Sequence, residues 1–330
     1  MICTTWPALA LGFAVGCGSS APAVTSSPTS PGDPAQQGCS RTSVGLTPLS
    51  DLAGTYQGEG GGLYPGGLSA LPAFHLAEGL ARARAIAPLD AAGRPSASGS
   101  YVFVSIGMSN TTQEFSTFKP MADGDGSRDS RLVVVDGAQG GVTAADWSNP
   151  GCPCWSQVTS RLQSAGVTAA QVATAWIKLA DRQPSEGWPG HAEKLRDNIV
   201  RVLQLLPARF PNLKLAYLSS RIYAGYATST LNPEPYAYQS GFSVRWTIQE
   251  QLRGGLRYDG PSPASPWLAW GPYLWADGLT PRSDGLTWSC SEFQSDGTHP
   301  ATSGRQKVAM RLLDFVRTDP TAREWYLARP

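Results

Sequence analysis

Short apolar runs recur along the middle of the chain and predict the strands of a buried sheet. Residues 101–106, 131–135, 172–177 and 213–218 are each rich in β-branched or aromatic side chains, and residues 266–270 are a fifth candidate. The runs are nearly continuous rather than alternating, which is typical of parallel strands that are covered on both faces. We therefore expect a parallel sheet between two covering layers.

Segments with helical periodicity separate these runs. Residues 71–87, 155–165, 191–206 and 303–316 place their apolar side chains at helical spacing. Strands that alternate with helices predict a three-layer α/β/α sandwich around a parallel, flavodoxin-like sheet. Such sheets bind ligands beyond the carboxyl ends of their strands, so the residues directly after each strand are the first candidates for chemistry.

The N-terminus has a different pattern. Residues 1–17 hold an apolar stretch that is too short to span a bilayer and ends in Ala-Val-Gly-Cys, which resembles a bacterial lipobox. We expect a lipoprotein-type signal peptide there, a lipid on Cys17, a disordered Ser/Pro/Gly linker over residues 18–45 and one domain over residues 46–330. The protein is then exported to the bacterial cell envelope, where only this anchor touches the membrane. The alternative is a buried N-terminal helix, but the low-complexity run gives it nothing adjacent to pack on.

Composition narrows the classes of function. The 330 residues are 41% hydrophobic and 15% charged, with a formal net charge of +1. This is enough apolar material for one full core, and a monomer is expected. No block of Lys and Arg is present to neutralise a row of phosphates, so nucleic-acid binding is disfavoured.

The candidate chemistry begins with a serine after the first predicted strand. Ser109 stands in Gly-Met-Ser-Asn at residues 107–110, a turn that can present a hydroxyl at the sheet edge, although a lone serine there is more often a helix cap. Far along the chain, Asp296 and His299 are three residues apart, before the last predicted helix. A carboxylate at this spacing can hold an imidazole in one tautomer while the other ring nitrogen takes the proton of a serine hydroxyl.

The chain has three histidines, which narrows the choice of base. His191 is expected on the surface at a helix start, and His75 is expected to pack or to support the site. Only His299 has a carboxylate at the required spacing. We therefore predict Ser109 as nucleophile, His299 as base and Asp296 as the carboxylate that orients the base.

In this order, the motifs resemble those of the SGNH (GDSL-like) hydrolases over residues 101–316. Residues 107–110 are similar to the Gly-Gln-Ser-Asn opening of the sialate O-acetylesterase-like branch, and residues 134–141 resemble the second block of rhamnogalacturonan acetylesterases. The resemblance implies the SGNH hydrolase fold. It also implies an oxyanion held by the N–H of Ser109, the N–H of a second-block glycine and an Asn or Gln side chain of the third block.

This chain matches the implied oxyanion donors only in part. Gly141 occupies the place of the glycine donor, and Gly140 is the next candidate. The third block, residues 176–181, has no Asn or Gln, and Lys178 or Ala180 stands in its place. A lysine there can donate to the oxyanion, or it can be a surface lysine on a site that has lost activity.

Four cysteines beyond the signal segment indicate disulfides formed outside the cytoplasm. The implied fold brings the second-block turn near the Asp296 loop, which predicts a Cys152–Cys290 bond and leaves Cys39 to pair with Cys154. A bond between Cys152 and Cys154 would close a small strained ring. Zinc is the alternative, but Cys-x-Cys without a nearby histidine lacks the usual ligand spacing, so no metal or cofactor is expected.

The sequence thus predicts a serine esterase or deacylase of the cell envelope. It would act on carboxylic esters of a small molecule or glycan through a Ser109 acyl-enzyme, with O-acylated carbohydrate as a candidate substrate. Asn110, Gly140 and Arg221 are candidate substrate-binding residues, although Arg221 can equally form a structural salt bridge. Aromatic residues between 267 and 288 can stack on sugar rings or fill the core. The alternative function is a catalytically silent SGNH-fold lipoprotein that binds a surface glycan.

Overall fold

A computed structural model describes residues 39–328, and a five-stranded parallel sheet forms its centre. A two-stranded antiparallel hairpin precedes this sheet in the chain. The hairpin strands are β1 (Thr55–Tyr56) and β2 (Glu59–Gly60), and the sheet strands are β3 (Tyr101–Gly107), β4 (Leu132–Val135), β5 (Val172–Lys178), β6 (Leu215–Ser219) and β7 (Trp267–Trp270). Along the sheet the order is β4-β3-β5-β6-β7, which is the 2-1-3-4-5 order of flavodoxin-like folds.

Helices cover both faces of the sheet. They are α1 (Ala73–Arg84), α2 (Ser109–Asp123), α3 (Ala144–Trp147), α4 (Pro153–Ser164), α5 (Gly190–Arg209), α6 (Tyr236–Leu252), α7 (Thr302–Thr318) and α8 (Arg323–Tyr326). Helix α2 packs along α7, and α5 packs along α6. The chain crosses the sheet in one direction from β3 to β4 and in the opposite direction from β4 to β5. Right-handed crossovers therefore place α2 and α4 on opposite faces of the sheet. The prediction of a three-layer α/β/α sandwich with a flavodoxin-like parallel sheet is confirmed.

The strands are buried as their apolar runs predicted. Every residue of β3, β5, β6 and β7 is buried. Aromatic side chains fill the layer between the sheet and α2: Phe115 stacks on Trp176 of β5 and meets Phe103 of β3 edge-on. This packing fixes the start of α2 directly above the end of β3.

The switch point of the sheet lies between β3 and β5, where the strand order reverses. Residue 107 of β3 pairs with residue 178 of β5, so both strands end at the same level. Parallel sheets bind ligands in the crevice at such a point. Ser109 follows β3 and Ala180 follows β5, which makes this edge the place for a site.

Residues 39–45 belong to the domain, which corrects the predicted boundary of the linker. The carboxylate of Asp277 accepts hydrogen bonds from the Ser43 hydroxyl and from the backbone N–H groups of Val44 and Gly45, at 2.5 to 3.1 Å. These bonds order a segment whose composition alone suggested disorder. The predicted signal peptide and the lipid on Cys17 lie outside the described residues. Between residues 39 and 328, no helix has both the length and the hydrophobicity needed to cross a bilayer.

Both predicted disulfide pairings are wrong. Cys39 bonds to Cys290, with Cα atoms 5.3 Å apart, and Cys152 bonds to Cys154, with Cα atoms 5.2 Å apart. Both Cα separations lie within the normal range for a disulfide. The ordered segment at residues 39–45 brings Cys39 to the loop of Cys290, which leaves the two neighbouring cysteines for each other.

Candidate active site

A sharp turn from strand to helix presents Ser109. Met108 is the only residue between the end of β3 and the start of α2, and Ser109 is the first residue of that helix. Gly107 allows the turn because a Cβ there would lie 2.3 Å from the Thr111 hydroxyl and 2.4 Å from the Lys178 carbonyl oxygen. The first N–H groups of α2 have no partner within the helix, so they remain available to an anion.

Ser109, His299 and Asp296 form one hydrogen-bonded chain. The Oγ of Ser109 lies 2.7 Å from Nε2 of His299, and Nδ1 of the same ring lies 2.5 Å from Oδ2 of Asp296. When the Nδ1–H group donates a hydrogen bond to the carboxylate, Nε2 carries no proton and can accept the one from the serine hydroxyl. The His299 side chain is 19% exposed and that of Asp296 is 36% exposed, so solvent reaches the site.

Backbone contacts hold the Asp296–His299 turn in shape. Oδ1 of Asp296 accepts hydrogen bonds from the N–H groups of Thr298 and His299, each at 2.9 Å. Gly297 has a φ of +61°, and a Cβ there would lie 1.9 Å from the Tyr226 carbonyl oxygen. Burial alone would raise the pKa of Asp296, but the hydrogen bonds from His299 and Thr298 outweigh it and lower that pKa. The carboxylate is therefore ionised beside the ring.

Asn110 connects the start of α2 to the turn that carries His299. Its side chain is buried, and its amide nitrogen donates to the carbonyl oxygen of Thr298 at 3.0 Å. This bond ties the first turn of α2 to the turn that carries His299. Asn110 therefore helps to position the base, and its predicted role in substrate binding stays a prediction.

The loop after β4 is held next to Ser109's strand by Asp136. Its carboxylate accepts hydrogen bonds from the Ser105 hydroxyl at 2.6 Å and from the Thr112 hydroxyl. Burial raises the pKa of Asp136, and these two bonds oppose the rise. Sequence reasoning missed this residue, although its position directly after a strand was a usable signal.

Gly140 and Gly141 lie further along the same loop and are exposed. Gly141 has a φ of +79°, which favours glycine, and neither N–H donates to another group among residues 39–328. A free N–H at this edge is suited to an oxyanion. The assignment of Gly141 as donor, with Gly140 as the second candidate, stays a prediction.

The surroundings of Lys178 do not fit the role of oxyanion donor that was predicted for it. Its side chain is 1% exposed, and its Nζ lies 2.6 and 2.5 Å from the two carboxylate oxygens of Glu114 on α2. Burial lowers the pKa of Lys178 and raises that of Glu114, and the attraction between the two groups opposes both shifts. An ammonium held in this way is neither a surface charge nor an oxyanion donor. Ala180, also buried, adds only a methyl group.

Arg221 follows β6 and is 2% exposed. Its Nε and Nη2 atoms have no hydrogen-bond partner within the described part of the chain. Burial lowers its pKa, and the negative charges of Glu114, Glu234 and Asp296 oppose that shift. Among residues 39–328 it forms no ion pair with these carboxylates, and its role as a substrate-binding residue stays a prediction.

The other histidines and the aromatic cluster belong to the core. His75 stacks on Trp267 and hydrogen-bonds through Nε2 to the Leu268 carbonyl oxygen at 2.8 Å, which fits the packing role expected for it. His191 is buried rather than on the surface, because the start of α5 packs on α6. The aromatic residues between 267 and 288 are also buried: Trp267, Trp270, Tyr273, Trp275 and Trp288.

No protein-family model matches the chain, and no curated protein sequence matches it. Solved structures that are similar to it include a gut microbial diltiazem-metabolizing enzyme, with 13% identity and a TM-score of 0.38 over 65% of this chain and 46% of that one. The YxiM protein of Bacillus subtilis has 11% identity and a TM-score of 0.37 over 68% and 57% of the two chains. The salicylyl-acyltransferase SsfX3 from a tetracycline biosynthetic pathway has 13% identity and a TM-score of 0.37 over 69% and 58%. The chain thus spans about half the length of these proteins, and its function must be argued from its own site.

Proposed function

We propose that this protein is a serine hydrolase of carboxylic esters, of the SGNH type. The observation that carries the proposal is the hydrogen-bonded chain from Ser109 through His299 to Asp296, with separations of 2.7 and 2.5 Å. A free serine hydroxyl is a weak nucleophile, and an oriented imidazole within hydrogen-bond distance is what activates it. These three hydrogen-bonded residues lie at the switch point of the sheet, which supports the same conclusion.

The geometry supports a two-step reaction. The Ser109 oxygen attacks the ester carbonyl while Nε2 of His299 takes its proton, and the alcohol leaves with that proton as the acyl-enzyme forms. A water molecule then attacks the acyl group, again giving a proton to His299, and the carboxylic acid and free Ser109 result. Asp296 stays ionised throughout and stabilises the protonated ring.

Backbone N–H groups are the proposed oxyanion donors. The N–H of Ser109 stands at the positive end of a 15-residue helix, and the N–H groups of Gly140 and Gly141 donate to no group within residues 39–328. A side-chain donor from the third block is absent, because Ala180 is a methyl side chain and Lys178 is bound to Glu114. One missing donor costs roughly 10²- to 10³-fold in kcat, so we expect a slow but measurable hydrolase.

A second candidate function follows from that absence. A chain with Ala180 in the third block could bind the ester or its glycan and leave it intact, as a surface lipoprotein without activity. The two functions differ in whether Ser109 reacts. For both, the cell-envelope location and the lipid on Cys17 rest on the sequence pattern alone.

The first prediction tests the nucleophile. Ser109→Ala and His299→Ala should each lower kcat on p-nitrophenyl acetate by about 10⁴-fold or more, and the double variant should be little worse, since the triad acts as one unit. Ser116→Ala, an exposed serine on the same helix, is the matched control and should keep wild-type turnover. A fluorophosphonate probe should label the wild type at Ser109. If folded wild-type protein neither labels nor hydrolyses the ester, the hydrolase proposal is contradicted and the binding-protein function is favoured.

A further inference from the structure

A second site lies on the outer side of α5 and α6. It is an open groove of about 800 Å³, walled by the hairpin turn, the loop before α5, the first turns of α5 and the C-terminal half of α6. None of its lining residues belongs to the Ser109, His299 and Asp296 chain. Its lining includes Trp188, Trp246, Glu193, Gln249 and Arg253.

Two half-buried indoles are held rigidly in the groove. The Trp188 ring lies 5.0 Å from both Tyr56 and Phe242, edge-on to each, and 5.4 Å from Trp246. The indole N–H of Trp246 donates to Glu59 at 3.2 Å, which fixes the second ring. A rigid aromatic surface binds at low entropic cost, and the negative face of an indole attracts the weakly positive C–H groups of a sugar ring.

Four of the polar side chains that line the groove have no partner in the described part of the chain. Among residues 39–328, the side chains of Glu193, Gln249, Glu250 and Arg253 make no hydrogen bond or ion pair, and Glu193 and Arg253 are exposed. They present both donors and acceptors towards the groove. Such a set can pair with hydroxyl groups, which also donate and accept.

The mixed charges around the groove indicate which class of ligand it can bind. Acidic residues Glu59, Glu193 and Glu250 are interspersed with basic Arg196 and Arg253, so neither sign dominates. A polyanion such as nucleic acid needs a basic surface, and a lipid needs an apolar one. We infer that this groove binds a neutral polysaccharide, with sugar rings on Trp188 and Trp246 and hydroxyls on the unpaired polar side chains. The inference does not depend on the proposed hydrolysis.

Affinity electrophoresis of the full-length protein in mild detergent tests this site. Native gels would contain soluble xylan, laminarin or galactomannan as neutral polymers, with alginate as the anionic one and serum albumin as the unretarded reference. We expect retardation by at least one neutral polymer. Trp246→Ala and Arg253→Ala should each raise its Kd about tenfold, the loss expected for a well-placed binding residue.

The variants separate binding from folding. Arg253 is exposed and its side chain has no partner among the described residues, so Arg253→Ala should unfold at the wild-type temperature even if Trp246→Ala is destabilised. Phe74→Ala removes a 63% exposed aromatic ring outside the groove and should bind like the wild type. Retardation by alginate alone, no retardation by any neutral polymer, or unchanged binding of both groove variants would each overturn the inference. Because no ester is cleaved in this assay, an inactive Ser109 does not affect it.

Discussion

At the scale of single residues, the pair formed by Lys178 and Glu114 explains why the third block departs from its expected role. The ammonium lies in the core beneath α2, where both carboxylate oxygens contact it. A buried ion pair adds little net stability, but removal of one partner leaves the other charge without compensation. Sequence reasoning placed Lys178 correctly at a strand end, but it could not show that a residue 64 positions earlier would bind the side chain.

The second prediction concerns this pair. Lys178→Met should lower the free energy of unfolding by about 3–5 kcal/mol, because Glu114 would stay buried without a partner. Lys178→Met combined with Glu114→Met should recover a large part of that loss. Lys194→Met breaks the exposed pair with Glu186 and should cost less than about 1 kcal/mol. Urea denaturation measures all three. A Lys178→Met protein of wild-type stability but greatly reduced kcat would support the oxyanion role instead.

The third prediction concerns His191. Burial lowers the pKa of this histidine to about 4, while the nearby charges of Glu186 and Lys194 act in opposite directions. As the pH falls, His191 is therefore protonated near pH 6.5 in the unfolded chain but only near pH 4 in the folded chain. Stability is full above pH 6.5 and falls as the pH drops through this window, by about 3 kcal/mol at most.

The His191→Gln variant provides the comparison. Its free energy of unfolding should fall less than that of the wild type between pH 6.5 and pH 4, because glutamine takes up no proton. Above pH 7 the two proteins should show parallel pH dependence. Equal slopes in the acidic window would mean that His191 does not titrate between the folded and unfolded states as its burial indicates.

At the scale of elements, the sequence pattern predicted the helices that are apolar on one side and the strands that are apolar throughout. The runs at 101–106 and 172–177 became β3 and β5, because strands covered on both faces need continuous apolar sequence. Helix α6 was missed because it is buried on nearly all sides, with Gln239, Ser243 and Arg245 inside. Those polar residues remove the amphipathic pattern, and their hydrogen bonds to distant residues are what permit their burial.

The candidate site also has features that the sequence could predict and features that it could not. The Asp296–His299 turn could be predicted because its two side chains are three residues apart, a separation that local geometry controls. The position of Asp136 directly after a strand was a usable signal, but the support from Asn110 could not be predicted, because its bond joins two elements that only the folded chain brings together. The same reason explains the wrong disulfide pairings, since Cys39 and Cys290 meet through an ordered segment that resembles a linker in composition.

At the scale of the whole molecule, the two disulfides differ most in the length of chain they enclose. Cys39 and Cys290 are 251 positions apart, whereas Cys152 and Cys154 are two apart. A crosslink stabilises mainly by restricting the unfolded chain, and the effect grows with the length of the loop.

The fourth prediction follows from that difference. Replacement of both Cys39 and Cys290 by serine should lower the free energy of unfolding by about 4–5 kcal/mol, whereas the same change at Cys152 and Cys154 should cost about 2 kcal/mol or less. Urea denaturation under oxidising conditions compares the two double variants with the wild type. A larger loss from the Cys152 and Cys154 change would show that local structure, rather than loop length, governs stability here.

The hydrogen bond between Ser109 and His299 joins residues 190 positions apart, and every strand from β4 to β7 lies between them in the chain. During synthesis, therefore, the serine leaves the ribosome long before its base exists. A chain that ends before residue 299 lacks the proposed base, so we expect it to leave Ser109 without an activated hydroxyl.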